Sequence, residues 1–268
     1  PREPRETELC CAESALLFVD RTCSNPTTHY DQSMSCATRV DVAIVGAGVS
    51  GLVCAAALRT KSVVVLEARS RVGGRLLSPQ GVDLGGSWYW PPHDTAVAAL
   101  SRRLGVDSIA QRLDGEAFSV SAGQAQRLGN AGAQMAPCGP GAVRFRGGYQ
   151  ALPLALAAAL PNGSLQLGCR VLSVDQNEDG NGVRLAYRRA GSADVQHLHA
   201  RRVVLALPPG VAAAQIVFAP PLPAPQHRQM ATTATWCGDW CKVVATFRTP
   251  FWRAARASGV VAADGPLQ

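Results

Sequence analysis

The sequence predicts an α/β fold, and three observations predict it. Two short apolar runs, Val42–Val45 and Val63–Leu66, flank a glycine turn and an alanine-rich segment. A second alanine-rich stretch, Tyr149 to Leu160, leads into a series of strand-length apolar runs separated by turn residues. No run approaches the ~20 apolar residues that a membrane-spanning helix needs. Strands alternating with helices build a parallel sheet, and strands joined by short turns add antiparallel ones.

The first unit carries the most information. The strand Val42–Val45 enters Gly46-Ala47-Gly48-Val49-Ser50-Gly51, a helix follows from Leu52 to about Leu58, and the strand Val63–Leu66 ends at Glu67. Strand, glycine turn, helix, strand and acid at these offsets form a dinucleotide-binding βαβ unit. Gly46 permits the tight turn, Gly48 lets a pyrophosphate approach the backbone, and Gly51 lets the helix pack on the sheet. The free N–H groups of residues 48–51 and the helix dipole then face the phosphate. Glu67, at the end of the second strand, is placed to accept hydrogen bonds from ribose hydroxyls.

The later elements follow in order. Val97, Leu100 and Leu104 have helical spacing, with Asp94 as N-cap. Ala117–Val120 and Ala125–Leu128 flank Ser-Ala-Gly-Gln and predict a hairpin. Gly129–Gly141 reads as loop. The helix Tyr149–Leu160 stops at Pro161-Asn162-Gly163. Strands are expected at Leu165–Leu167, Arg170–Val174, Val183–Arg188, Asp194–His199 and Val203–Leu207, with turns at Asn177–Gly182 and Ala190–Ser192. Three of them form an antiparallel meander. Pro208-Pro209-Gly210 ends the last strand.

Arg69, Arg71, Gly73, Gly74 and Arg75 follow Glu67 directly. A second glycine turn with arginines suits a longer ligand whose pyrophosphate needs another cation. GAGVSG (46–51), LEARSRVGGR (66–75), VDLGGSWYW (82–90), FRGGYQALPLALAAAL (145–160) and RVVLALPPG (202–210) keep one order along the chain. IVFAPPLP (216–223) and WCGDWCKVVATFRTPFW (236–252) continue it. Together they resemble the flavin-containing amine oxidase superfamily: monoamine, polyamine and L-amino-acid oxidases.

The resemblance implies a Rossmann-like FAD-binding domain of GR2 type, an antiparallel β-meander and the start of an α+β substrate domain. It divides the chain into a polar cysteine-containing tail (1–39), the FAD domain (40–210, with a shortened insert near 105–143) and an incomplete substrate domain (211–268). It implies that the meander packs as a layer across the nucleotide sheet and that Ile216–Phe247 begins the substrate domain's sheet. It implies FAD as cofactor, with an amine or amino acid and O2 as reactants. Gly46, Gly48, Ser50 and Gly51 match the pyrophosphate loop, and Glu67 and Ala68 the ribose-binding strand end. Arg69, Gly74 and Arg75 match phosphate and ribityl neighbours, and Gly85, Gly86, Ser87 and Trp88 the loop passing the flavin ring. Val171 resembles the residue whose backbone pairs with adenine. Lys242 sits where many relatives place a lysine that hydrogen-bonds a water next to flavin N5. From the residues alone, Arg69 and Arg71 read equally as solvated charges, Val171 as core, and Lys242 as an edge lysine extending its ammonium to water.

Two features depart from the family pattern. The insert between Trp90 and Arg144 is short, and relatives continue past the position of Gln268. The chain is accordingly expected to be truncated at its C-terminus, with a partner chain supplying the missing half as one arrangement. Met34 would be a natural start for the folded part. Carotenoid desaturases and protoporphyrinogen oxidases share the fingerprint, although Pro208-Pro209-Gly210 and the setting of Lys242 favour the amine oxidases. A non-catalytic FAD-fold subunit is the third reading.

Composition narrows the remaining classes. The net charge is +7, but the arginines are scattered and no basic block interleaves with aromatics, so a nucleic-acid surface is not expected. Nine cysteines, at 10, 11, 23, 36, 54, 138, 169, 237 and 241, form no repeated metal spacing and no Cys-x-x-Cys pair, which favours a reducing, intracellular compartment. Cys54 and Cys169 read as buried thiols, and His93, His197, His199 and His227 as surface residues. No metal is expected.

Overall fold

The computed structural model describes residues 17–18, 39–58, 60–176, 182–235 and 241–264. Cys10, Cys11, Cys23, Met34, Cys36, Trp236, Cys237, Trp240 and most of the turn at 177–182 lie outside the described residues. The described residues form two compact units, one within Pro1–Gly74 and Leu156–Trp240, the other within Arg75–Ala155 and Cys241–Gln268.

The first unit is built on an eight-stranded sheet. The fingerprint strand Arg39–Val45 pairs in parallel with Val63–Leu66, which pairs in parallel with Leu165–Gln166. On its other side lies the long strand Val195–Leu205. The fingerprint strand thus sits between the strand that follows it and a strand far along the chain, which is the doubly wound arrangement that opens a crevice at the strand ends. Val42–Val45 and Val64–Leu66 are buried, as continuous β-branched runs in a sheet covered on both faces should be.

The long strand corrects one expectation. Asp194–His199 and Val203–Leu207 are not two strands; Val195–Leu205 runs through both. One half pairs antiparallel with Val183–Arg189, and residues 199–205 pair in parallel with Arg39–Val45 on the opposite edge. The meander therefore does not form a layer packed across the nucleotide sheet but continues it. Ala200-Arg201-Arg202 contains neither glycine nor proline, so nothing breaks the extended backbone between the halves. On the inner face Val171, Val174, Val183, Leu185, Tyr187, Leu198 and Ala200 pack against Ala212, Ile216 and Met230. Those three belong to, or closely follow, the helices Pro209–Gln215 and Ala224–Thr232.

Two further expectations change here. Pro208-Pro209-Gly210 ends the strand region but also starts a helix: Pro208 is the N-cap and Pro209 the first helical residue. A proline at that position loses no hydrogen bond, because the first N–H groups of a helix have no intrahelical partner. Ile216–Phe247 does not open a separate sheet among the described residues. Its strand, Val217–Ala219, is the edge of the main sheet beside Cys169–Gln176.

In the second unit the hairpin Glu116–Ser121 and Gln124–Arg127 forms as expected. Its tight turn is Ala122-Gly123, both at positive φ, the conformation that matches strand twist in two-residue hairpins. Ala257–Ala263 joins it in parallel. The helix Thr95–Leu104 ends at Gly105 in the left-handed region. Asp94 occupies the N-cap position, but its carboxylate accepts the Trp90 N–H at 2.8 Å instead of capping the helix. The 129–141 loop contains a short helix, Gly132–Met135. Phe145 stacks on Tyr89 and meets Tyr149 edge-on, with ring centroids 4.9 and 4.8 Å apart, which fastens 143–149 to the Tyr89 region. The helix expected over Tyr149–Leu160 spans Ala151–Ala158.

Candidate cofactor site

In the first unit, nine of the residues singled out in the sequence lie around one turn or beside it. Gly46 has φ +105°, and a Cβ there would lie 2.6 Å from the Ala206 carbonyl oxygen. A Cβ on Gly51 would overlap the Gly46 carbonyl oxygen. Both positions are glycine because backbone occupies the side-chain space. Gly48 differs, since among the described residues nothing lies within 4 Å of where its Cβ would be. Gly48 is also the N-cap of the helix Val49–Ala57, and no side chain caps that end. The helix therefore presents unsatisfied N–H groups and its positive dipole end to open space, which is the arrangement that binds a phosphate. Ser50 lies in the first turn of this helix, half-buried.

Glu67 is buried, at 8% exposure. One carboxylate oxygen accepts the Ala47 N–H at 2.8 Å and the other the Arg69 N–H at 2.9 Å. A carboxylate has about four lone-pair sites, so two remain for ribose hydroxyls. The fingerprint assigned Glu67 to the ribose; it missed that Glu67 also ties the first glycine turn to its own strand end.

The second glycine turn is fastened to the first. Gly73 N–H donates to the Ala47 carbonyl at 2.8 Å, and a Cβ on Gly74 would come within 3.4 Å of Gly48 Cα. Arg69 and Arg71 both donate to the Gly74 carbonyl, at 3.3 and 3.0 Å. Arg71 is therefore an active part of the turn. Ala68 is exposed beside them. Cys169 N–H donates to the Glu67 carbonyl at 2.7 Å, so the strand carrying Val171 starts at the Glu67 strand end. The Val171 side chain is core. A β-bulge lies next to it, because Val171 pairs with Tyr187 while Ser173 pairs with Ala186.

The second unit gathers Arg75, Gly85, Gly86, Ser87, Trp88 and Lys242. A Cβ on Gly85 would overlap the Arg75 carbonyl oxygen, and one on Gly86 would meet Leu76, so this loop too is packed at backbone distance. Arg75 itself is exposed. The Lys242 ammonium donates to the Gly85 carbonyl at 2.8 Å, to the Asp83 carbonyl at 3.3 Å and to the Ser87 hydroxyl. It also stands 5.3 Å from the Trp88 ring centroid, over its face, a cation–π contact. An ammonium has three N–H donors, and all three are directed at the loop. The residue counts as exposed because its stem faces solvent, while the ammonium is turned inward. Burial of the ammonium pushes its pKa down; the nearby Asp83 charge opposes that and Arg144 adds to it.

Sequence reasoning missed the support beneath this loop. Asp83 is buried at 8% exposure, and its Oδ1 accepts the Ser78 hydroxyl and the Tyr149 N–H, both at 2.6 Å. The only signal was an acid between Val82 and Leu84. Two cavities in the same unit, about 430 and 360 Å³, are bounded by residues such as Gln111, Asn130 and Gln134, and Pro91, Arg102 and Asp107 respectively. Neither contains a residue singled out for the cofactor. Among the described residues no helix is long and apolar enough to cross a membrane.

Comparison with known proteins fits this geometry. The sequence profile described as "Flavin containing amine oxidoreductase" matches residues 114–266, more than half of the chain. A "NAD(P)-binding Rossmann-like domain" profile matches 44–104. A putative flavin-containing monoamine oxidase of Mycobacterium tuberculosis is 45% identical over 82 residues, 28% of this chain and 18% of the relative. Putrescine oxidase of Kocuria rosea is 40% identical over 87 residues, 30% of this chain and 18% of the relative. The matched segments thus span less than a fifth of these curated relatives. Among solved structures, wild-type putrescine oxidase bound to putrescine superimposes with TM-score 0.65 at 24% identity, covering 84% of this chain and 70% of that one. Cyclohexylamine oxidase from Brevibacterium oxydans gives TM-score 0.58 at 21% identity, covering 72% and 63%. At these identities the structural likeness speaks for the fold alone.

Proposed function

The chain belongs to the flavin-containing amine oxidase family, whose cofactor is FAD, and from that premise we propose that it binds FAD and serves oxidation of a primary or secondary amine or an amino acid. The observation that carries this reading is the unfilled space over Gly48 at an uncapped helix N-terminus, with the Glu67 carboxylate one residue away through Ala47. The residues present fit the cofactor's adenosine and pyrophosphate half. Backbone N–H groups of 48–51 bind the phosphates, the free lone pairs of Glu67 accept the ribose hydroxyls, and Arg69 adds positive charge from the second turn. Val171 serves the adenine through its backbone.

In the second unit we assign the loop Gly85–Trp88 to the flavin ring, with Arg75 as a ribityl neighbour. FAD held here would supply the redox chemistry, the two-electron oxidation of an amine to an imine with O2 as acceptor and H2O2 as its product. The protein's part is to position and exclude water. Lys242 orders the loop by saturating Asp83, Gly85 and Ser87, and holds a cation against Trp88. The family role of a lysine bonded to water beside N5 would need one of these donors released.

The test is direct. The purified chain should carry the visible absorption bands of bound flavin, or acquire them on adding FAD, and anaerobic mixing with amines should bleach them. Absence of any flavin binding contradicts the reading. Binding without bleaching by any amine favours a non-catalytic FAD-fold subunit.

A further inference from the structure

Asp83 is a buried acid with an unusual balance of partners. Its Oδ1 accepts two hydrogen bonds, from the Ser78 hydroxyl and the Tyr149 N–H. Ser78 and Gln150 close the same network: the Ser78 N–H donates to the Gln150 side-chain oxygen at 2.9 Å, and the Gln150 N–H to the Ser78 hydroxyl at 3.0 Å. Gly148 completes it. At φ +90° a Cβ there would run into Ser78 and stand 3.0 Å from Asp83 Oδ1, so only glycine lets the 148–150 turn reach the acid. Its second oxygen, Oδ2, is buried without a hydrogen-bond partner among the described residues. Leaving a carboxylate oxygen buried and unpaired is costly. An asparagine of nearly the same volume would make the same Oδ1 contacts without carrying a charge, so the charge itself calls for a use.

We propose that Asp83 is the positioning residue of the Leu84–Trp88 loop: Oδ1 anchors the loop to the Gly148–Gln150 turn, and the carboxylate charge keeps the Lys242 ammonium seated on the loop's carbonyls. Its relevance to flavin rests on the function proposed above. Lys242 bonds the Asp83 backbone carbonyl and feels the carboxylate's charge, and Arg144 acts on the same ammonium with the opposite sign. Arg144 Nε is likewise buried and unpaired. Asp83 favours the protonated lysine and Arg144 disfavours it, so the pair sets how firmly the ammonium is held.

The chain contains two lysines, Lys61 and Lys242, so a lysine-selective NMR titration of the intact chain follows Lys242 with Lys61 as internal reference. Asp83→Asn keeps the Oδ1 acceptor and removes the charge. It should lower the proton affinity of Lys242 by about tenfold, the scale of one nearby charge, and leave Lys61 unmoved. Arg144→Gln should shift Lys242 the opposite way. A merely structural Asp83 would leave Lys242 in Asp83→Asn titrating as in wild type, and that result overturns the proposal. Asp83→Ala removes the anchor as well and should weaken FAD binding about tenfold, while Asp83→Asn stays near wild type. Equal FAD affinity for folded Asp83→Ala and wild type overturns the anchoring half. Should wild type bind no FAD, the cofactor reading fails, and the lysine titration still decides whether Asp83 seats Lys242.

Discussion

The two glycine-rich loops of this chain are held in different ways. The Gly46–Gly51 turn is fixed by backbone. Its neighbours are carbonyl oxygens of Ala206 and of Gly46 itself, and the side chain that fastens it, Glu67, bonds backbone N–H groups. The Gly85–Trp88 loop is packed on backbone at Gly85 but is gripped by a side chain from far along the chain, Lys242, over an acid that reaches a third segment. A backbone-built cradle is pre-organised and tolerates little change. A loop gripped by one ammonium can be released by a single proton or a single substitution.

Substitutions should separate the two designs. The largest effect belongs to Gly51→Val, whose Cβ would overlap the Gly46 carbonyl oxygen. We expect a loss of about 3 kcal/mol or more, of the kind forced overpacking and backbone strain produce, read as loss of a cooperative thermal transition. Next is Glu67→Ala, which orphans the Ala47 and Arg69 N–H groups and should cost about 1–3 kcal/mol in chemical denaturation. It should also weaken FAD binding more than Arg71→Ala does, since Glu67 is the residue assigned to the ribose while Arg71 donates to the Gly74 and Val72 carbonyls of the second turn. Equal effects on FAD would count against the ribose assignment.

Lys242→Met should cost less than Glu67→Ala, roughly 0.5–1.5 kcal/mol, because its side chain is largely solvated. Its signature is local: Trp88 loses the cation over its face, and tryptophan fluorescence should change with little shift in the unfolding midpoint.

The smallest effect is a pH dependence in the first unit. Burial, then the charges of Arg184, Arg39 and His197, push the His199 pKa below its ordinary value of 6.5. The folded chain then binds fewer protons at His199 than the unfolded one. This contribution to stability is fully present above pH 6.5 and is lost as pH falls through the lowered folded value. His199→Gln should reduce the drop in urea midpoint between neutral pH and the region below His199's folded pKa. An unchanged drop would remove His199 from the account.

The same contrast explains what the sequence made legible. Gly46, Gly48, Gly51 and Glu67 were readable because a turn, a helix start and a strand end sit within one short stretch and obey local rules. The buried strands Val42–Val45 and Val63–Leu66 were readable from their β-branched runs. The merger of two strands into Val195–Leu205 was not, because Ala200-Arg201-Arg202 looks polar enough for a turn while lacking any residue that makes one. Nor were the Glu67–Ala47 and Asp83–Tyr149 bonds, since a side chain's choice of a backbone N–H leaves no mark in composition. Lys242 stood out only through family resemblance; its three acceptors lie more than 150 positions earlier.

The central claim is that the open space over Gly48 is where FAD phosphate binds. An equilibrium FAD titration of wild type and Gly48→Ala, beside their thermal melts without FAD, tests it most directly. No described residue contacts a Cβ at position 48, so the melts should coincide while FAD affinity falls by about tenfold or more. Coincident melts with equal FAD affinity, or no FAD binding by wild type, would contradict it.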